Sequence, residues 1–216
     1  MIKNMKISES VTKIMKKRLT FYNKYIAKKT MSKFQTPYKL NVGCGSNKHI
    51  GWLNLDLEGD PNIVDIFWNA AQKFEFMNDN SCSLIYSEHF LEHLPIDQGV
   101  NFLAECYRLL ENGGSLRIAM PSLEYVIAKY NSEDWHSQDW LTWPEYQFIK
   151  SRAEMMNICF RWWGHQWLYD CEELHRRLYE AGFEKVKDLS WGYSDVPELQ
   201  NRETRKDSLL ICEAQK

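Results

Sequence analysis

The run Tyr38–Val42 is short and apolar and passes straight into Gly43-Cys44-Gly45, and the alternating run that follows, Trp52–Asp56, ends on a carboxylate. This pairing constrains the chain more than any other feature. A strand that runs into Gly-x-Gly has to turn sharply, and glycine both permits the turn and lets a ligand approach the backbone without a Cβ in the way. An acid closing the next strand can accept both hydroxyls of a ribose. The third glycine of a dinucleotide fingerprint is missing, because Ser46-Asn47-Lys48 follow Gly45. Without it a helix N-terminus cannot come as close to a pyrophosphate, which counts against NAD or FAD.

Further short runs suited to strands lie at Ile63–Ile66, Cys82–Tyr86 and Leu116–Met120, with two more near Phe183–Leu189 and Ser208–Glu213. Between the fourth and fifth, Val100, Leu103, Ala104, Tyr107 and Leu110 share one face of a helix that Gly113-Gly114 stops. Asp170 with Glu173 opens another helix through Tyr179, and Gly182 closes it. Residues 131–169 form an aromatic-rich insert, with Trp135, Trp140, Trp143, Trp162, Trp163 and Trp167, and read as irregular. Such an insert packs over a sheet end, or walls a pocket for a cyclic acceptor, or does both. Strands alternating with helices predict a parallel sheet covered on both faces. At 216 residues there is room for one domain and a short appendage.

That appendage is the N-terminus. Residues 1–33 carry ten Lys/Arg against the single acid Glu9, and Ile7, Val11, Ile14, Met15, Tyr22, Tyr25 and Ile26 recur at helical steps. Residues 1–35 thus read as a basic amphipathic helical extension. It either docks on its own domain or a second subunit, or lies on an anionic membrane or glycolipid. Cofactor binding is expected to survive its removal, because the first strand starts later. From residue 34 on, 17 basic residues face 28 acidic ones, which excludes a general nucleic-acid binder. Six scattered cysteines without a C-x-x-C pair point to reduced thiols. No apolar run approaches the roughly 18 residues of a membrane span, and the lysine-rich start lacks the apolar core of a signal peptide. The expected location is cytoplasmic, with peripheral attachment to the inner membrane surface through residues 1–33 as one use of the basic helix.

Three stretches, LNVGCGSNKHIGWLNLD (40–56), FMNDNSCSLIYSEHFLEHL (76–94) and RLLENGGSLRIAMPSLE (108–124), together resemble a class I S-adenosylmethionine-dependent methyltransferase of the methyltransferase type 11 kind. The resemblance is nearest a bacterial subgroup associated with polysaccharide and cell-surface glycan biosynthesis. It implies a Rossmann-like three-layer α/β sandwich over residues 36–216, with a mostly parallel seven-stranded sheet and an antiparallel last strand. It also implies methyl transfer from S-adenosylmethionine, leaving S-adenosylhomocysteine, to a small-molecule or glycan-type acceptor at a hydroxyl oxygen. Position by position, Asn41, Gly43, Cys44 and Gly45 would lie under the methionine and ribose, Asp56 would hold the ribose hydroxyls, and Leu57 would rest against the adenine. Asn69 and Ala70 match the place of the adenine amino group, where the family commonly has aspartate. Ser87 and His89 would stand beside the sulfonium. Rival readings are a dinucleotide-dependent oxidoreductase, a zinc hydrolase and a non-catalytic module on the same fold; the intact Gly43, Gly45 and Asp56 count against the last.

His89-Phe90-Leu91-Glu92-His93 also matches the H-x-x-E-H string of inverted zinc proteases. On a helix, His89 and His93 would share a face as a metal pair requires. Here the string follows a strand and lies in register with the methyltransferase pattern, so no bound metal is expected. A hydroxyl acceptor calls for a base to take its proton. The candidates are His165 in the tryptophan cluster, His89, and Glu124 beyond the fifth strand.

Overall fold

The computed structural model describes residues 22–216. Ile7, Val11, Ile14 and Met15 of the N-terminal stripe lie outside the described residues. One sheet of seven strands runs in the order β3-β2-β1-β4-β5-β7-β6. The strands are β1 Tyr38–Val42, β2 Leu53–Asp56, β3 Ile66–Phe67, β4 Cys82–Glu88, β5 Leu110–Met120, β6 Lys185–Asp188 and β7 Leu210–Gln215. Only β7 runs against the rest, with Leu116 opposite Ala214 on one side and Lys187 opposite Glu213 on the other. The expected mostly parallel sheet with an antiparallel last strand is what forms. Leu40, Val42, Ile85, Leu116 and Ile118 are buried, as central strands covered on both faces require.

Winding from β1 proceeds one way through β2 and β3 and the other way from β4, so a switch point falls between β1 and β4. In open α/β sheets ligands meet there, beyond the carboxyl ends of the strands. Val42 is level with Leu55 and with Ser87. The Gly43 loop, Asp56 and the Glu88-His89 step therefore emerge along one edge.

Helix α2, Ile96–Leu109, buries Phe102, Leu103, Cys106 and Leu109. The expected face was turned: Ala104 is exposed, and the larger Phe102 and Leu109 take the core side. The helix also stops before the glycine pair, because Leu110 already pairs with β4 opposite Cys82. Helix α5, Cys171–Ala181, begins and ends as its signals predict. The Asp170 side chain accepts from the Glu173 N–H at 2.8 Å, and Gly182 takes the left-handed turn at φ 109°.

The insert is more regular than its composition suggests. Ser122 caps α3, Leu123–Tyr130, just before it, and within it Ser151 with Glu154 forms a reciprocal capping box on α4, Arg152–Arg161. Trp135, Trp140, Tyr146, Met155 and Ile158 belong to a small core of their own. Trp143, Trp162, Trp163 and Trp167 remain substantially exposed.

At the N-terminal side, residues 22–31 are helical (α1). Ala27 and Met31 are buried in the main core, and Lys24 pairs with Glu75. The expected stripe residues Tyr22, Tyr25 and Ile26 are exposed. The docked face lies beside the stripe, where the small Ala27 lets the helix approach closely.

Candidate active site

Two glycines turn the chain at the end of β1, Gly43 with φ +66° and Gly45 with φ +51°. Their roles differ. A Cβ on Gly43 would stand 2.8 Å from the Phe90 side chain, so packing as well as backbone conformation requires glycine. A Cβ on Gly45 would meet nothing within 4 Å, because that side of the loop opens to the cleft. Asn41 holds the loop from beneath, its Nδ2 donating to the Asn47 carbonyl and to Asn54 Oδ1, both at 3.0 Å. It is buried and supports the turn from outside the cleft lining. Asp56 closes the other side: its carboxylate accepts from the Gly45 N–H at 2.8 Å and the Leu57 N–H at 2.6 Å.

Gly43, Cys44, Gly45 and Asp56 border a cleft of about 240 Å³ together with Tyr86, Glu88, His89, Phe90 and Arg205. Cys44 is buried, and desolvation pushes its thiol up to about 12, so it is no nucleophile at neutral pH. One residue beyond Asp56, a second hollow of about 190 Å³ lies among Leu57, Phe67, Trp68, Asn69, Gln72 and Asn23 of α1. Asn69 Oδ1 accepts from the Ala71 N–H at 3.0 Å, and Ala70 is buried in the main core rather than lining the hollow. Ser87 is buried at the end of β4 with its hydroxyl unpartnered, also outside the lining.

The far wall of the cleft comes from sequence-distant residues. The Glu88 carboxylate accepts from the Thr204 and Arg205 N–H groups at 2.8 and 3.1 Å and from the Ser208 hydroxyl at 2.8 Å. This clamp draws the 204–208 loop across the strand ends and sets Arg205 at the cleft. His89 follows with φ +49°, a backbone state uncommon outside glycine. Its Nε2 is 3.2 Å from Ser208 Oγ and its Nδ1 3.4 Å from Glu92 Oε1. Burial holds the His89 pKa down to about 3, so the ring is neutral.

The three base candidates are placed differently. His89 lines the cleft. His165 is buried behind it, beside His93, with Nδ1 donating to the Cys159 carbonyl at 2.7 Å. Glu124 is exposed on the first turn of α3 and outside the lining. Sequence reading missed Glu88, Tyr86, Phe90 and Arg205. Glu88 was in view beside His89; nothing local marks Arg205, which reaches the site only through the fold.

The open face at Gly45, the Asp56 carboxylate and the partly apolar hollow beside Leu57 fit a ligand whose ribose lies between a polar chain and a flat ring. Residues 40–118 match the family model for a methyltransferase domain. A SAM-dependent methyltransferase from Archaeoglobus fulgidus is similar in fold over 94% of both chains, at 16% identity and a TM-score of 0.50. A second similar structure, from Thermotoga maritima and called a possible histamine N-methyltransferase, is 13% identical over 94% of this chain and 95% of that one, with a TM-score of 0.49. Among curated proteins, none matches the sequence. At such identities the structural likeness is one of fold. Residues 40–118 thus match a methyltransferase domain, and the fold around them is that of class I S-adenosylmethionine-dependent methyltransferases. The chain is an enzyme, and its cofactor is S-adenosylmethionine.

When bound, S-adenosylmethionine supplies an electrophilic methyl group on a sulfonium. The residues suited to hold it are the Gly43–Gly45 backbone, Asp56 for the ribose hydroxyls, and Leu57 with Asn69 at the ring end.

Proposed function

We propose that the acceptor is a hydroxyl oxygen on a small or glycan-type molecule, and that the neutral His89 helps position that hydroxyl at the cleft. In-line methyl transfer depends mainly on holding two reactants in near-attack geometry, with a base at the acceptor oxygen. The observation that carries this reading is how the aromatic insert meets the cleft wall. The Gln166 and Trp167 N–H groups donate to the Glu92 carbonyl at 2.8 and 3.1 Å, three residues beyond His89. That hook ties the segment carrying the half-exposed Trp162, Trp163 and Trp167 to the turn that follows His89. Flat aromatic faces on that segment suit a sugar ring. His89 is favoured over His165 and Glu124 because it alone of the three lines the cleft.

The test is transfer of a labelled methyl group to a panel of hydroxyl, amine and thiol acceptors, glycans included, with mass analysis of the product. Label appearing as an alkali-stable O-methyl ether is expected; label confined to amines would overturn the reading. His89→Asn, chosen because asparagine tolerates positive φ, should lower turnover by roughly 10²-fold, the scale of a misplaced reactant, with S-adenosylhomocysteine affinity nearly unchanged. Parent-like turnover in this variant would remove His89 from the acceptor site.

A further inference from the structure

Behind the cleft wall, Glu92 sits in the short turn Leu91–His93 and is 1% exposed. Both of its carboxylate oxygens lack a hydrogen-bond partner. A bare buried carboxyl is costly, and native chains keep few such groups without a reason. Imidazoles surround this one. His93 Nε2 is 3.9 Å from Oε1, and the His165 ring meets the His93 ring edge-on with centroids 5.0 Å apart. One ligand atom from each of Glu92, His93 and His165 lies within 4.8 Å of the other two. His165 is already oriented as a ligand: Nδ1 donates to the Cys159 carbonyl, which leaves Nε2 unprotonated. Such an outer hydrogen bond is what fixes the tautomer and ring direction of metal-bound histidines.

We propose that Glu92, His93 and His165 bind a divalent transition-metal ion of the zinc class. Two imidazoles and one carboxylate are a common catalytic donor set for zinc, with a fourth position left for water or another oxygen. A cation here offsets the buried carboxylate charge and gives its oxygens a partner. Zinc–ligand bonds of about 2.0–2.2 Å require the three side chains to close inward. His89 faces the same carboxylate at 3.4 Å but stands outside the three-residue set. The site is therefore not the His89/His93 pair of the H-x-x-E-H string, and it departs from the expectation of no metal. It does not depend on which acceptor is methylated.

The full-length protein, stripped with a chelator, is titrated with zinc chloride by calorimetry, and bound metal is counted by elemental analysis. Cobalt(II) in place of zinc reports coordination through its visible absorption. The expected result is one ion per chain that survives Cys171→Ser, a variant that disables the more exposed Cys171–His175–Asp188 cluster. Glu92→Gln and His165→Ala should each weaken zinc binding by more than about 100-fold, since losing even an outer partner of a ligand costs roughly 10–100-fold. Glu92→Gln keeps the size and shape of the buried side chain, and its melting curve separates loss of a ligand from loss of the fold. The proposal fails if the stripped wild type takes up no stoichiometric zinc, or if uptake persists in Glu92→Gln and disappears in Cys171→Ser.

Discussion

Asp56 is the residue whose local environment says most about its task. Its two oxygens already accept backbone N–H groups from Gly45 and Leu57, which aim the carboxylate along the cleft edge without needing a ligand to position it. Asp56→Ala should weaken S-adenosylhomocysteine binding by about 1.5–3 kcal/mol, the scale of hydrogen bonds to a charged group. Calorimetry showing an unchanged Kd would remove it from the ribose site. Gly45→Val belongs to the same measurement and should abolish binding, because a branched side chain would fill the cleft and resist φ +51°. Spacing alone singled out both residues, and both line the cleft. Asn41 was legible as a loop residue, but its part in bracing the loop through Asn47 and Asn54 depends on a neighbouring strand. Ala70 and Ser87 show the opposite limit. A motif position names the backbone that passes a site, and packing decides whether the side chain faces it.

At the scale of elements, Arg117 joins what the chain order separates. It sits in β5 with no exposed side-chain surface, donating to Glu203 and Glu213, each at 2.6 Å, and to the Tyr193 carbonyl at 2.9 Å. Glu203 in turn accepts from the Gly192 N–H at 3.0 Å. The network pins the segment between β6 and β7 over the sheet, one residue before the Thr204–Arg205 step that Glu88 clamps. Arg117→Met should therefore destabilise the fold by about 3–5 kcal/mol, because it leaves Glu203 buried without its cation. Denaturant unfolding is the measurement, and a loss under about 1 kcal/mol would show the pair to be dispensable. Nothing in the run Leu116–Met120 signals that its one arginine is wholly buried; the strand was predictable, its partner across 86 residues was not. The insert gives the same lesson. Ser151 and Glu154 spell a capping box, yet the tryptophans around them mask the modest apolar repeat of Met155, Ile158 and Cys159.

For the molecule as a whole, α1 changes the standing of the basic N-terminus. Ala27 and Met31 lie in the main core, and Asn23 borders the hollow beside Leu57 and Asn69. Deleting residues 2–33 is thus expected to lower unfolding stability by about 2–5 kcal/mol, the scale of emptying one large core position, and to weaken S-adenosylhomocysteine binding. Thermal melting and calorimetry check this together, and a truncated protein that matches the parent in both would make α1 an appendage after all. Much of the architecture was written locally. Strand runs, the Gly43–Gly45 turn, Asp56 and the α5 caps all depend on neighbours within a few residues, where backbone geometry and hydrophobic period act directly. Tertiary structure decided the rest: which face α2 buries, where α1 docks, how Glu88 brings Arg205 to the cleft, and how His165 comes to rest beside Glu92 and His93. Those placements rest on packing and charge pairing between residues far apart in the chain, and spacing along the sequence carries no record of a sum taken in three dimensions.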